Sequence, residues 1–249
     1  MAENNGKSME GNDKVPVHVS IIMDGNGRWA QLRGKERVFG HAEGVGSVRA
    51  CVEAAVEAGV KYLSLFAFSE ENWGRPESEV STLMGMMMKA IRDEIESLAA
   101  QGIAFRVIGN ISRLSPDLLE SIRKAEERTA PPAGREPVMT LIIFLSYSGK
   151  WDILQAAKNI AREYSSNPEA IDSLEIGDFD RYLSTSGIPD PDLVIRTSGE
   201  KRISNYLLWQ TAYSELLSVE TLWPDFRKEE FRSALEEYSK RNRRYGKVK

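Results

Sequence analysis

The chain has 249 residues, of which 41% are hydrophobic and 28% charged, and its formal net charge is −4. These values are typical of a soluble globular protein, and they exclude a disordered chain and a broadly basic surface for nucleic acid. The single cysteine, Cys51, excludes an internal disulfide and a cysteine-based zinc cluster, and favours the reducing cytoplasm. Only His18 and His41 are available for a histidine-dependent catalytic site.

Residues 1–14 are polar and of mixed charge, which predicts a flexible leader rather than a signal peptide. We assign the rest, residues 15–249, to one folded domain. No apolar run approaches the roughly 18 residues that a membrane-spanning helix needs.

Five apolar, β-rich segments alternate with segments that carry apolar residues at helical spacing. The predicted strands are 17–23, 62–68, 103–108, 138–145 and 193–195. The predicted helices are 41–58, 77–100, 116–129, 153–164 and 226–244. This order predicts a single α/β domain with a mostly parallel central sheet and helices on both faces.

Four predicted strands run into polar segments that contain glycine: DGNGRW, SEENWGRP, SYSGKWD and RTSGEKRIS. The carboxyl ends of parallel strands meet at one edge of a sheet, where open α/β sheets bind their ligands. We therefore expect one site that contains Asp24, Arg28, Asn72, Arg75, Arg196, Arg202 and Ser204.

The DGNG segment has the chemistry of an anion site, because Gly25 and Gly27 let backbone N–H groups approach a ligand closely. Asp24 would repel a bare phosphate, so its presence favours a bridging divalent cation, most naturally Mg²⁺. A plain turn is the alternative, since Asp-Gly and Asn-Gly are common turn dipeptides. Arg196 and Arg202 suit a second phosphate group, with ordinary surface positions as their alternative.

The predicted helix 77–100 carries a stripe of methionines, Met84, Met86, Met87 and Met88. Methionine commonly fills gaps in a core, and this is the simpler interpretation. The alternative is the wall of an apolar tunnel, shared with the strand residues Phe66, Phe68, Ile142, Ile143 and Phe144. A diphosphate with a long apolar tail would fit both the tunnel and the anion site.

Several long motifs, in this order, carry a resemblance to a known family: HVSIIMDGNGRWA, GHAEG, FAFSEENWGRP, DLVIRTSGEKRISNYLLWQTAYSEL and WPDF. Over nearly all of residues 17–246 the chain resembles the cis-prenyltransferases, the undecaprenyl diphosphate synthase or isoprenyl transferase family. The adjacent aspartates of trans-prenyltransferases are absent. The resemblance implies repeated cis condensation of isopentenyl diphosphate onto an allylic diphosphate such as farnesyl diphosphate. The expected product is undecaprenyl diphosphate, a carrier-lipid precursor for cell-wall synthesis.

The resemblance also implies roles for individual residues. Asp24 would hold magnesium, and Glu215 would complete the metal shell. The allylic diphosphate would contact Gly25, Asn26, Gly27, Arg28, Arg37 and His41, although a lone histidine near a helix start is more often structural. The diphosphate of isopentenyl diphosphate would contact Arg196, Arg202, Ile203 and Ser204. Trp29 and Trp73 would flank the first isoprene units, and a mobile loop would contain Ser69, Glu70, Glu71, Asn72 and Arg75.

The family assigns proton acceptance to the residue that matches Asn72, but a neutral carboxamide is a poor base, so orientation of substrate is the alternative. Arg244 and Gly246 match a signature that reaches the partner subunit's site, which implies a homodimer. The basic tail 240–249 is otherwise a solvated tail or a contact for an anionic membrane surface at the inner face.

The chain departs from the common family pattern at Ser146, Ser148 and Lys150, where Asn, Gly and Arg are more usual. Met139 is expected at the far end of the tunnel. Two rival functions are a non-catalytic subunit of a heteromeric prenyltransferase, which would lack the intact DGNGR segment, and a nucleotide-binding protein. The only GK[ST] fragment, Gly6-Lys7-Ser8, lacks the preceding strand and first glycine of a phosphate loop.

Overall fold

Six parallel strands form one sheet within residues 15–242, the part of the chain that the computed structural model describes. The strands are β1 (His18–Ile22), β2 (Tyr62–Ser69), β3 (Ile103–Ile108), β4 (Met139–Tyr147), β5 (Leu193–Arg196) and β6 (Glu215–Ser218). Their order in the sheet is β3-β4-β2-β1-β5-β6, and every neighbouring pair is parallel.

Helices cover both faces of this sheet. They are α1 (Asn26–Gln31), α2 (Arg37–Ala58), α3 (Glu77–Ala100), α4 (Pro116–Thr129), α5 (Gly149–Glu163), α6 (Ile176–Phe179) and α7 (Lys228–Ser239). α2, α3, α4 and α7 pack on one face in a first hydrophobic cluster, while Trp151 of α5 packs against a second cluster that contains Tyr147 and Tyr206. The predicted single α/β domain with helices on both faces is confirmed. Within residues 15–242, no helix has the length and apolar composition needed to cross a membrane.

Alternate side chains of β4 belong to the two different hydrophobic clusters. All nine residues of β4 are buried. Met139, Leu141 and Ile143 belong to the first cluster, whereas Ile142 and Phe144 belong to the second. Successive side chains of a strand point to opposite faces. The expectation that Ile142 and Phe144 line a tunnel beside α3 is therefore wrong.

Several predicted boundaries coincide with those of the structure, including α3, α4 and β3. α5 begins four residues earlier than predicted, because the Ser148 hydroxyl accepts a hydrogen bond from the Trp151 backbone N–H (3.2 Å) and caps the helix. α7 begins at Lys228 rather than 226 and ends at Ser239. The four-residue strand β6 was not predicted, since its sequence ELLS is too short to show a period. The predicted leader lies outside the described residues.

The strand order places a ligand crevice at the carboxyl ends of β1 and β5. From β1 the chain moves to its neighbour β2, whereas from β5 it moves in the opposite direction to β6. The connections that follow β1 and β5 therefore diverge and leave a gap between them. Such a switch point is the usual ligand position in open α/β sheets.

Gly40 of α2 is a point where the backbone of α1 approaches too closely for a side chain. A Cβ at Gly40 would lie 1.9 Å from the Asn26 carbonyl oxygen. We expect Gly40→Ala to lower the free energy of unfolding by about 1–3 kcal/mol, because the helices must separate. Urea denaturation measures this. In the matched control, Gly85→Ala, the added methyl meets nothing within 4 Å, so stability should stay equal or rise; equal loss in both variants would contradict the packing.

Candidate active site

The crevice is centred on an ion pair between the ends of two strands. Arg196 closes β5, and its Nη2 donates to Asp24 Oδ2 just beyond β1 (2.7 Å). The Thr197 hydroxyl fixes the backbone of Asp24, since its Oγ1 accepts from the Asp24 N–H (2.8 Å) and donates to the Asp24 carbonyl (2.6 Å). The Asp24 side chain keeps 31% of its surface exposed, against 9% for Arg196. A carboxylate backed by a buried arginine thus faces the crevice.

Arg196 also holds the segment that follows β5. Its Nη1 donates to Ser204 Oγ (2.7 Å) and to the Arg202 carbonyl. The Ile203 carbonyl accepts from the Tyr206 N–H (3.1 Å), which closes a turn there. Arg196 Nε is buried without a hydrogen-bond partner among the described residues. The guanidinium therefore joins the turn around Ser204 to Asp24 and retains one unused donor.

The backbone after Asp24 favours glycine at position 25 and packs closely against a side chain at position 27. Gly25 has φ +104°, and a Cβ there would lie 2.9 Å from Leu222 Cδ2. A Cβ at Gly27 would lie 2.8 Å from the guanidinium carbon of Arg37. Nearby, Asn26 Oδ1 is buried without a partner among the described residues. Gly25 thus begins α1 in a left-handed conformation, and the Arg37 guanidinium and the Asn26 amide oxygen lie close to this turn.

One carboxylate, Glu200, restrains two arginines at the rim of the crevice. Arg28 Nη2 donates to Ser198 Oγ (2.6 Å) and to Glu200 Oε1 (3.1 Å). Arg202 pairs with the other oxygen of Glu200. Sequence reasoning did not assign a role to Glu200, although it lies inside the RTSGEKRIS motif. These exposed guanidiniums are available to an anion that replaces the glutamate.

His41 lies at the mouth of the crevice, within electrostatic reach of Arg75 and Arg37. Burial, together with the positive charges of Arg75 and Arg37, lowers the pKa of His41 to about 4, against an opposing contribution from Glu79. Arg75 Nη1 in turn bonds Glu79 Oε1 (3.1 Å). His41 is therefore neutral at pH 7, and the charge on this side of the mouth comes from arginines. It lies within the first turns of α2, whose N-cap is Glu36, and it lines the cavity described below.

A cavity of about 440 Å³ extends from this mouth between the sheet, α2 and α3. Its apolar wall includes Val48, Val52, Leu65, Phe68, Met84, Met86, Met87, Ile91, Ile95, Leu141 and Ile143. Met84 and Met87 also pack against the first cluster, as does Met88, so the methionine stripe serves both as core and as wall. The predicted apolar tunnel beside α3 is present.

Eight of the predicted site residues line this cavity near its mouth: Asp24, Asn26, His41, Ser69, Asn72, Arg75, Arg196 and Ser204. Ser69, Asn72 and Arg75 come from the segment 69–75 between β2 and α3. In this segment Asn72 Oδ1 accepts from the Ser69 N–H (3.0 Å), as part of a capping box around the turn Glu70–Gly74. Three of the four segments that the strand-end argument selects therefore converge at the mouth, while SYSGKWD lies outside the lining and His41 comes from α2.

The two tryptophans predicted at the site do not line the cavity, whereas a tryptophan with no predicted role does. Trp29 is 8% exposed, stacks on Phe39 and donates to Asp225 Oδ1 (2.7 Å). Trp73 also lies outside the lining. Trp223, in the WPDF motif, lines it and donates through Nε1 to the Gly44 carbonyl (3.0 Å). The WPDF motif contributes to the family resemblance, but no role was predicted for Trp223.

Met139 is not at the cavity's far end. It is fully buried in the first cluster, and the lining of the cavity includes Leu141 but not Met139. Leu98 and Phe105 also border the cavity. Met139 thus supports the wall from behind.

Glu215 lies away from Asp24 in this chain. Through their shared partner Arg196 in β5, Ile22 at the end of β1 is in register with Ser218 in β6. Glu215 precedes Ser218 by three residues, so it lies about 10 Å from that level along the strand direction, and β6 is two strands away from β1. Its Oε2 accepts from Arg241 Nη1 (3.0 Å). The structure therefore does not bring Glu215 and Asp24 into one metal shell within a single chain.

The donor set at the mouth fits a cation that arrives with a phosphate ligand. The described residues contain no group of three or more His, Cys, Asp or Glu able to hold a metal ion. Magnesium is commonly held by one or two carboxylates together with substrate phosphates. Asp24 supplies one partly exposed carboxylate, and the arginines around it suit the phosphates. Arg244, Gly246 and the Gly6-Lys7-Ser8 fragment lie outside the described residues.

The two histidines give a pH prediction. Burial also lowers the pKa of His18 to about 4, against opposing contributions from the Pro189 carbonyl and Asp192. Because an unfolded histidine titrates near 6.5, the unfolded chain binds more protons below that pH, and stability falls as pH decreases from about 6.5 towards 4. An NMR titration should show both imidazoles neutral at pH 5.5, with His41→Asn assigning the signals. A midpoint near 6.5 for His41 would contradict its burial between arginines.

The geometry agrees with comparisons to known proteins. Residues 22–246 match the family model described as "putative undecaprenyl diphosphate synthase". The chain is 46% identical to an isoprenyl transferase of Porphyromonas gingivalis over 246 residues, covering 99% of this chain and 95% of that protein. It is 47% identical to the ditrans,polycis-undecaprenyl-diphosphate synthase of Haemophilus influenzae, covering 93% and 95%.

Two solved structures share the fold. Lavandulyl diphosphate synthase of Lavandula x intermedia has a TM-score of 0.90 and 34% identity, over 95% of this chain and 100% of the other. A probable undecaprenyl diphosphate synthase of Campylobacter jejuni has a TM-score of 0.74 and 29% identity, over 93% and 99%. The chain therefore belongs to the undecaprenyl diphosphate synthase family of prenyl-transferring enzymes, as its motifs predict.

Proposed function

We propose that this enzyme condenses isopentenyl diphosphate repeatedly, with cis geometry, onto an allylic diphosphate, and that farnesyl diphosphate is the starter. The observation that carries the proposal is the junction of two environments: an arginine-lined mouth around Asp24, and an apolar cavity of about 440 Å³ that continues from it. The name of the Haemophilus relative specifies farnesyl diphosphate, and the lavender enzyme was solved with dimethylallyl diphosphate. Undecaprenyl diphosphate is the product we propose.

The reaction breaks the carbon–oxygen bond of the allylic diphosphate, forms a carbon–carbon bond to isopentenyl diphosphate and releases a proton and diphosphate. Negative charge grows on the leaving diphosphate, so fixed donors stabilise the transition state more than the ground state. Arg28 and the backbone of Gly25–Gly27 would hold one diphosphate, while Arg196, Arg202 and Ser204 would hold the other. Mg²⁺, held by Asp24, would supply further neutralisation of the leaving group. The apolar wall excludes water from the reactive carbon.

Asn72 is placed to donate a hydrogen bond rather than to accept a proton. Its Oδ1 already accepts from the Ser69 backbone N–H, which fixes the orientation of the amide and turns Nδ2 away from that N–H. A neutral carboxamide is also a very weak base. We therefore propose that Asn72 orients a substrate oxygen and that the leaving diphosphate takes the proton.

Three further assignments belong to the proposal. The sheet of the described residues ends at β6, where Leu216 is 52% exposed, and an apolar edge strand suits a homodimer. The buried single cysteine suits a reducing cytoplasm.

Peripheral contact with the membrane's inner face would serve release of a lipid product. The basic tail 240–249, on which this proposed membrane contact is based, lies mostly outside the described residues.

The proposed activity is tested with radiolabelled isopentenyl diphosphate, farnesyl diphosphate and Mg²⁺, with products separated by chain length on reverse-phase plates. We expect a ladder of long-chain products that EDTA abolishes. Asp24→Asn should lower kcat at least about 100-fold, since it keeps the shape but removes the charge. Asp172→Asn, an exposed carboxylate elsewhere, should leave kcat unchanged. No incorporation by the unmodified protein would refute the function, and full activity of Asp24→Asn would refute the role of the carboxylate.

The role of Asn72 is tested by Asn72→Asp. Aspartate keeps the oxygen that accepts from Ser69 but replaces the amide donor with an acceptor, so we expect kcat to fall at least about tenfold. If the residue were a base, the stronger base would preserve or raise kcat, and that result would overturn our assignment. Asn159→Asp, at an exposed position of α5, serves as the matched control.

A further inference from the structure

The end of β4 contacts the segment 69–75 through a single serine. The Ser146 hydroxyl accepts a hydrogen bond from Trp73 Nε1 (2.8 Å) and donates one to Glu70 Oε1 (2.6 Å). Ser146 is fully buried, and it does not line the cavity. One hydroxyl thus holds two side chains on either side of Asn72.

A second set of contacts holds the neighbouring residue of the same turn. Asn205 Nδ2 donates to Glu71 Oε1 (2.7 Å) and to Ser148 Oγ (2.9 Å). Arg113 adds a third attachment, because its Nη1 donates to Glu70 Oε2 (3.2 Å). Every one of these contacts reaches the turn from outside the cavity.

Arg113 and the backbone at the end of β4 make further contacts around this attachment. The Arg113 guanidinium carbon lies 4.5 Å from the centre of the Trp73 ring. The Ser146 carbonyl accepts from the Asn110 N–H (2.9 Å), which ties the end of β4 to the segment after β3. Ser146 has φ +54°, in the left-handed region of backbone conformation that residues other than Gly, Asn and Asp rarely adopt. The serine is therefore held in an unfavourable conformation that aims its hydroxyl at the turn.

We propose that Ser146 is a positioning residue: its hydroxyl holds the turn Glu70–Gly74 closed and thereby presents Asn72 to the cavity. The Ser148–Asn205 pair supports the same turn through Glu71. The inference rests on the proposed function for its effect on catalysis, but the attachment itself is measurable without substrate.

The test is hydrogen exchange of the backbone amides in residues 70–74, followed by mass spectrometry, on the full chain without ligand. Ser146→Ala removes both hydrogen bonds, so exchange there should become about tenfold faster while the central strands keep their protection. Ser146→Asn should return exchange towards the original rate, since asparagine can both accept and donate and tolerates a positive φ. Ser173→Ala is the control, because its hydroxyl donates only within its own turn, to the Ala170 carbonyl.

Kinetics separate positioning from a merely structural role. We expect Ser146→Ala to lower kcat about tenfold with KM for farnesyl diphosphate changed less than twofold, and Ser146→Asn to restore kcat. If Ser146→Ala loses protection throughout the sheet because the variant unfolds, Trp73→Phe is the second variant. It removes the hydrogen bond from Trp73 Nε1 to Ser146 and leaves Ser146 in place. Residues 70–74 of Trp73→Phe should still exchange faster than those of the unmodified protein. Unchanged exchange at 70–74 in both variants would overturn the proposal. Failure of the proposed function would appear differently, as no elongation by the unmodified protein.

Discussion

The carboxylate of Asp24 and the guanidinium of Arg196 form the interaction on which the site depends. A buried arginine without a partner is costly, and Arg196 is satisfied chiefly by Asp24, the Ser204 hydroxyl and the Arg202 carbonyl. This set of contacts joins the ends of β1 and β5 at the place where their connections diverge. The fold thus concentrates charge at the one edge of the sheet where it remains accessible to a ligand.

The charged mouth around Asp24 and Arg196 opens directly into the apolar cavity. The face of the sheet towards α2 and α3 and the facing sides of these helices supply the wall, while Arg196 at the end of β5 and Asp24 just beyond β1 lie at the mouth. A ligand with a charged head and a long apolar tail can therefore bury its tail without removing its head from charged partners. His41 stays neutral because burial and arginines disfavour its protonation, so the mouth has its positive charge from guanidiniums that do not titrate near pH 7.

The strand and helix pattern predicted the sheet and the convergence of its polar loops, because buried parallel strands and amphipathic helices such as α3 and α4 have strong periodic signals. The DGNG segment and Arg196 were predicted for the same reason: they follow strands. Contacts between distant segments carried no such signal. Trp223 lines the cavity through a close approach of WPDF to α2, and the separation of Glu215 from Asp24 follows from the register of β6, a strand too short to predict. Trp29 was placed beside the ligand, but its partners Phe39 and Asp225 hold it in the packed surface.

The most direct test of this account is a crystal structure of the enzyme with Mg²⁺ and farnesyl thiodiphosphate, a starter analogue that resists ionisation. The account predicts the thiodiphosphate against the Gly25–Arg28 backbone with the metal ion on Asp24, and the farnesyl tail between Met84, Met87 and the sheet. A head group bound away from Asp24, or a tail outside the cavity between α2 and α3, would contradict it.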